Sequence, residues 1–147
     1  MDQPVNPMPY PHQNIIPYIM TENVSRLIEF TKAAFGAELK YKLDRHDGAI
    51  MHAEVKIGSN VIMMGEPTPQ FGPMPASLYL YVPDCDKTYA AALQAGGISM
   101  AEVKTMHHAG ERYGCVKDLA GNIWWIATHV EDMSLEESKR RIKESSD

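Results

Sequence analysis

His52 and Glu54 stand two residues apart in the run MHAEVKIG. If that run is a strand, the imidazole and the carboxylate share one face, while Met51, Ala53, Val55 and Ile57 form an apolar face under a helix. Such a pair can act as acid and base, offer two ligands to a metal, or serve as a hydrogen-bonded structural pair. The residues alone leave all three uses open. Arg112, in GERYG, can grip an anionic ligand through a bidentate fork or pair with Asp118 across a hairpin. His107 and His108 are adjacent and would diverge on a strand, which suits a solvated loop better than chelation. His129 and Asp132 lie beyond the last strand, where a structural role fits. Cys115 reads as a buried thiol rather than a nucleophile. The chain has no Gly-rich phosphate loop, GxSxG, HExxH or CxxC.

Both tryptophans sit side by side in GNIWWIATH, residues 121 to 129. On a strand they must point to opposite faces, so one can fill a core while the other looks elsewhere.

The elements that would position these residues occur twice. NIIPYIM reads as a strand, followed by Asn23 as the N-cap of a helix to about Phe35. Val24, Leu27, Ile28, Thr31, Ala34 and Phe35 form its buried stripe, and Gly36 ends it. AELKYKLDR, AIMHAEVKIG and VIMMG are three further strands. After the loop GEPTPQFGPMP the order returns. SLYLYVP is a strand, Asp84 caps a helix that Gly96 and Gly97 stop, and ISMAEVKTM, RYGCVKD and IWWIATH are strands. Asn23 and Asp84, like Gly36 and Gly97, are 61 positions apart, and Asn60 and Asn122 are 62 apart. A duplicated β-α-β-β-β unit accounts for this pattern. Ser134 and Glu137 fit a capping box opening a last short helix.

Composition limits the partners. The 147 residues suit one domain, and a net charge of -5 without basic clusters argues against nucleic acid or an anionic membrane. No apolar run approaches the roughly 20 residues that span a bilayer. Two separated cysteines, Cys85 and Cys115, are too few for a disulfide framework, so a reducing cytoplasm is expected.

Four stretches carry a resemblance: PYIMTENVSRLIEFTKAAFGAE (17 to 38), HAEVKIGSNVIMM (52 to 64), LYVPDCDKTYAAALQAGG (80 to 97) and GERYGCVKDLAGNIWWIATHVEDMSLEE (110 to 137). They resemble the vicinal oxygen chelate superfamily of glyoxalases, bleomycin-resistance proteins and extradiol dioxygenases, and within it the PhnB-like branch. FGAE and WWIATHVED are the more specific matches. Where the branch has Asp-Pro-Phe-Gly, this chain has Asp118-Leu119-Ala120-Gly121. The resemblance implies an α+β fold, with two βαβββ modules forming a curled mixed sheet around a cleft and helices outside. Residues 1–147 would be one such domain, with modules over about 14–66 and 76–130 and a C-terminal helix over about 134–145. It also implies metal-ligand positions at Ile16, Met63, Ser77 and Trp125. None of these is a usual ligand for a hard cation, so no metal is expected there.

By the same alignment Trp125 faces the cleft with Ile123 and Ala127. Tyr18 and Met20 join Ile16, and Tyr79 and Tyr81 join Ser77. Such a cleft, with Met63 and Arg112 added, suits a small planar organic ligand. The expected protein is a cytoplasmic homodimer that binds such a molecule without a cofactor. The alternative is a lyase or isomerase of the same superfamily. It would use His52 and Glu54, or a Zn, Ni, Mn or Fe ion on displaced ligands that include Glu66.

Overall fold

The computed structural model describes residues 4–145. Strand β1 (Tyr18–Met20) leads through helix α1 (Val24–Phe35) to β2 (Glu38–Asp44), β3 (Ile50–Ile57) and β4 (Asn60–Gly65). The second module repeats this with β5 (Ser77–Tyr81), α2 (Cys85–Gln94), β6 (Ile98–Met106), β7 (Glu111–Lys117) and β8 (Ile123–His129). Helix α3 (Leu135–Glu144) follows. Each module makes one four-stranded mixed sheet, ordered β1-β4-β3-β2 and β5-β8-β7-β6. In each, the first strand runs parallel to the last and the other pairings are antiparallel. The expected α+β class of two βαβββ modules is therefore the fold, and neither sheet closes into a barrel.

Alternation decides which face each sheet buries. Ile19, Ala53, Val55 and Met64 are fully buried in sheet one, and Trp124, Ile126 and Val116 are buried in sheet two. These faces share one continuous core with α1 and α2. The helices pack against each other, and Phe35 of α1 meets Trp124 of the other module with ring centroids 4.6 Å apart. The side of each sheet away from this core is open.

Two local expectations change. Asn23 occupies the N-cap of α1, but in a left-handed conformation (φ 59°) without a side-chain cap bond. Its backbone N–H instead donates to Glu66 Oε1 at 3.3 Å, a geometry that Asn tolerates better than most residues. Met51 does not join the apolar face; it is 48% exposed. Leu43 pairs with His52 and Asp44 with Ile50, so Met51 is the extra residue of a β-bulge, and Ile50 takes the core position.

The last helix starts as its sequence predicts, with Ser134 Oγ accepting from the Glu137 N–H at 3.2 Å. The reciprocal half of the box is missing, because the Glu137 carboxylate pairs with Arg140 and Arg141. No α3 side chain is buried. Arg141 ties it to module two by donating to the His107 carbonyl at 2.8 Å and pairing with Glu131. Among the described residues, no helix is long and apolar enough to cross a membrane.

Candidate functional site

The open face of sheet one carries a cross-strand row of Tyr18, Met63, Glu54 and Tyr41. His52 lies beside it, with Nε2 2.8 Å from Glu54 Oε2. The His52 and Glu54 side chains are 23% and 14% exposed, within reach of a ligand yet sheltered from bulk water. The rings of Tyr18 and Tyr41 flank the imidazole at 5.7 and 5.9 Å. The Tyr18 hydroxyl lies over Gly65, where an added Cβ would stand 2.9 Å from it; a side chain at 65 would displace the ring. The other oxygen of Glu54 accepts a hydrogen bond from the Tyr10 hydroxyl. Sequence reasoning gave Tyr10 and Tyr41 no role. Tyr41 could have been found from strand parity opposite His52 and Glu54. Tyr10 could not, because its contact spans 44 residues.

The corresponding row on sheet two is Tyr79, Trp125 and Cys115. Tyr81 and Tyr113 stand next to it, with ring centroids 5.3 Å between Tyr79 and Tyr81 and 5.7 Å between Tyr113 and Trp125. These edge-on contacts leave ring surface available, and Tyr79 and Tyr81 are 47% and 58% exposed. The Trp125 indole N–H donates to Ser77 Oγ at 3.0 Å. Partial burial, then the neighbouring Glu111 carboxylate, pushes the Tyr79 phenol up to about 12. The Tyr81 hydroxyl donates directly to Glu111, which also raises its pKa. Burial raises the Cys115 thiol, so it stays protonated at neutral pH. This is an aromatic platform with phenol hydroxyls and the Glu111 carboxylate at its edge.

The adjacent Trp124 points the other way. Its indole N–H donates to the buried Asp118 at 2.8 Å, and the same carboxylate accepts from Asn122 Nδ2 and from the Ala120 and Asn122 backbones. That network closes the Asp118–Gly121 turn with Leu119 and Ala120 at its centre.

Arg112 does not belong to the aromatic face. Tyr113 points to the open side, so its neighbour points to the helix side. There Arg112 forks onto Asp86 at the start of α2, with two bonds of 2.8 Å, and lowers the Asp86 pKa. Asp86, not Asp118, is its partner. Glu66 is likewise committed to structure, accepting from the backbones of Asn23 and Ile50. His129 is held between Glu111 (3.2 Å) and Asp132 (2.7 Å) at the end of β8, and these carboxylates raise its pKa, Asp132 first.

Met20 lies at the edge of sheet one, bridged to Met74. Tyr18 and Tyr79 are not brought together. Among the described residues, the rings of each open face touch only rings of their own module. The groove between the modules, about 250 Å³, is lined instead by Gln13, Pro17, Ile62, Leu78, Tyr79 and Trp124. Within this chain the two open faces stand apart, with α1 packed on α2 between the modules.

The four positions that the resemblance implies for a metal, Ile16, Met63, Ser77 and Trp125, offer a poor donor set for an ion. Ile16 has no donor, Met63 offers only a thioether, the Ser77 hydroxyl already accepts from Trp125, and an indole has no lone pair to give. Among the described residues, no group of three His, Cys, Asp or Glu side chains converges elsewhere to hold one.

The fold has counterparts among solved structures. TioX from Micromonospora sp. ML1 superposes with a TM-score of 0.65 at 19% identity, over 83% of this chain and 100% of that one. The PhnB protein of Bacillus cereus gives 0.63 at 17% identity, over 79% and 99%. An uncharacterized protein of Mycobacterium bovis, Mb0911c, is 25% identical over 142 residues, covering 89% of this chain and 93% of that one. A sequence model of the glyoxalase family matches residues 13–126. The chain belongs to the Glyoxalase/Bleomycin resistance protein/Dioxygenase superfamily.

Proposed function

We propose that this protein binds a small, flat organic molecule on its aromatic face without a metal. The carrying observation is the cluster of Tyr79, Tyr81, Tyr113 and Trp125, open on one side. Ring stacking would supply affinity, and the hydroxyls of Ser77 and Tyr79 would orient the ligand. Within the superfamily, the PhnB-like branch fits best, on FGAE after the first helix, on the WWIATHVED ending of module two and on the likeness to the PhnB protein.

The same reading makes the protein a homodimer. Tyr18, Tyr41 and Leu43 on sheet one, and Tyr79 and Tyr81 on sheet two, are each 43–58% exposed. A second copy that lays sheet one against sheet two would cover both patches and build a two-walled cleft. Both cysteines are unpaired thiols, which supports a reducing, cytoplasmic setting. The test is tryptophan fluorescence of wild type and Trp125→Phe during titration with planar aromatics such as quinolines and naphthols. Saturable quenching that survives chelator and disappears in Trp125→Phe is expected. Quenching that is unchanged in Trp125→Phe, or no binding across the panel, contradicts the reading.

A second reading is favoured by the 2.8 Å His52–Glu54 contact: proton transfer to or from the bound molecule, as in a lyase or isomerase. A ligand found in the titration would then exchange a carbon-bound proton for deuterium in D2O. His52→Gln should slow that exchange by about 100-fold or more. No exchange with wild type contradicts this reading.

A further inference from the structure

The N-terminal segment ahead of β1 is fixed to sheet one at two points. Pro17 accepts from the Met63 N–H but has no N–H to continue the β1–β4 ladder. The side-chain amide of Gln13 replaces it. Its oxygen accepts from the Val61 N–H at 2.7 Å, and its nitrogen donates to the Val61 carbonyl at 2.8 Å. A turn closed by the Gln13 N–H on the Tyr10 carbonyl (3.0 Å) then carries Tyr10 back over the open face, where its hydroxyl meets Glu54. Gln13 acts as the anchor, and Tyr10 is what the anchor delivers.

An ionised carboxylate is acceptor-only, so both groups touching Glu54 must donate. The hydroxyl of Tyr10 takes Oε1, and Oε2 is left for His52 Nε2. A neutral imidazole carries one N–H. If that proton is on Nε2, Nδ1 holds the lone pair. A carboxylate free to rotate would serve His52 less well, because either oxygen could turn to solvent.

We propose that Tyr10 is a positioning residue for the His52–Glu54 pair, pinning the carboxylate so that His52 is held as the Nε2–H tautomer with Nδ1 as its basic nitrogen. The inference rests on the proton-transfer reading for its use, although its geometry does not depend on any substrate. The N-terminal segment is then part of the site, although it lies outside both βαβββ modules. The Glu54 hydrogen bond raises the Tyr10 pKa, which keeps the phenol a donor across the neutral range.

The test is long-range proton–nitrogen NMR of the imidazole rings in the full-length protein, at a pH well above the ordinary imidazole range. His52 is assigned by its absence from the spectrum of His52→Gln. Wild type is expected to show the two His52 nitrogens widely separated, as one Nε2–H tautomer. Tyr10→Phe keeps the ring and should shrink that separation toward a tautomer average, leaving the other histidines unmoved. Gln13→Ala, which frees the segment by a different route, should do the same. A wild-type spectrum with an averaged or Nδ1–H ring overturns the proposal. If Tyr10→Phe changes nothing while Glu54→Gln abolishes the tautomer bias, the role of Tyr10 is overturned and the His52–Glu54 pair stands. If neither variant changes it, both fail.

Discussion

The two modules share a topology and the register of their first, third and fourth strands but place different chemistry on corresponding positions. In module one the row across the open face reads Tyr18, Met63, Glu54; in module two it reads Tyr79, Trp125, Cys115. Where module one has a carboxylate bonded to an imidazole, module two has a neutral thiol under an indole. One face carries ionisable side chains, and the other carries aromatic rings. The duplicated scaffold fixes where side chains point, while the residues at those points are free to diverge, which is how one fold serves several chemistries.

The helix-covered faces diverge in a compensating way. Ala53 pairs with Met64 in module one, and Gly114 pairs with Ile126 at the corresponding place in module two. A Cβ added to Gly114 would lie 2.8 Å from the ring of Tyr89 on α2 and 2.9 Å from Val103. Tyr89 stands where the 61-residue repeat has Ile28 on α1, and Gly114 leaves room for the larger ring.

The comparison can be broken at several points. Trp124 and Trp125 are neighbours with opposite duties, so Trp124→Ala should cost about 3–5 kcal/mol by emptying the shared core. Trp125→Ala should cost far less stability and should remove ligand quenching. Denaturant unfolding of the two variants checks this. Gly114→Ala comes next, at about 1–3 kcal/mol, because Tyr89 and Val103 must move. The reciprocal change, Ala53→Gly, should cost less, about 0.5–1 kcal/mol, mainly through strand flexibility.

The smallest effect is a pH dependence confined to module two. The folded pKa of His129 lies above its unfolded value, so its contribution is fully present below the unfolded pKa. It is lost as pH rises through the folded one. The thermal midpoint of wild type should exceed that of His129→Gln on the acid side and converge with it above neutrality. A gap that widens with rising pH would have the wrong sign.

Much of this was legible in the sequence because it depends on short-range rules. Helix stripes, glycine stops and period-two alternation are local, and they separate Trp124 from Trp125 without coordinates. The same rule read one step further would have removed Arg112 from the open face, since it adjoins Tyr113. Other features were hidden for physical reasons. The bulge at Met51 arises from pairing with β2, not from its own run. Tyr10 and Gln13 make contacts 44 and 48 residues away, which no local pattern in a proline-rich segment announces. That the open faces stay apart within one chain follows from α1 packing on α2, a tertiary choice.

The central proposal is a ligand face without a metal at the four positions that the resemblance implies. The direct measurement is elemental analysis of untagged protein, purified without chelator and offered Zn, Ni, Mn and Fe in turn. The donor set at Ile16, Met63, Ser77 and Trp125 predicts bound metal far below one ion per chain in every case. A value near one ion per chain would contradict it and would point to His52 and Glu54 as ligands in place of an acid–base pair.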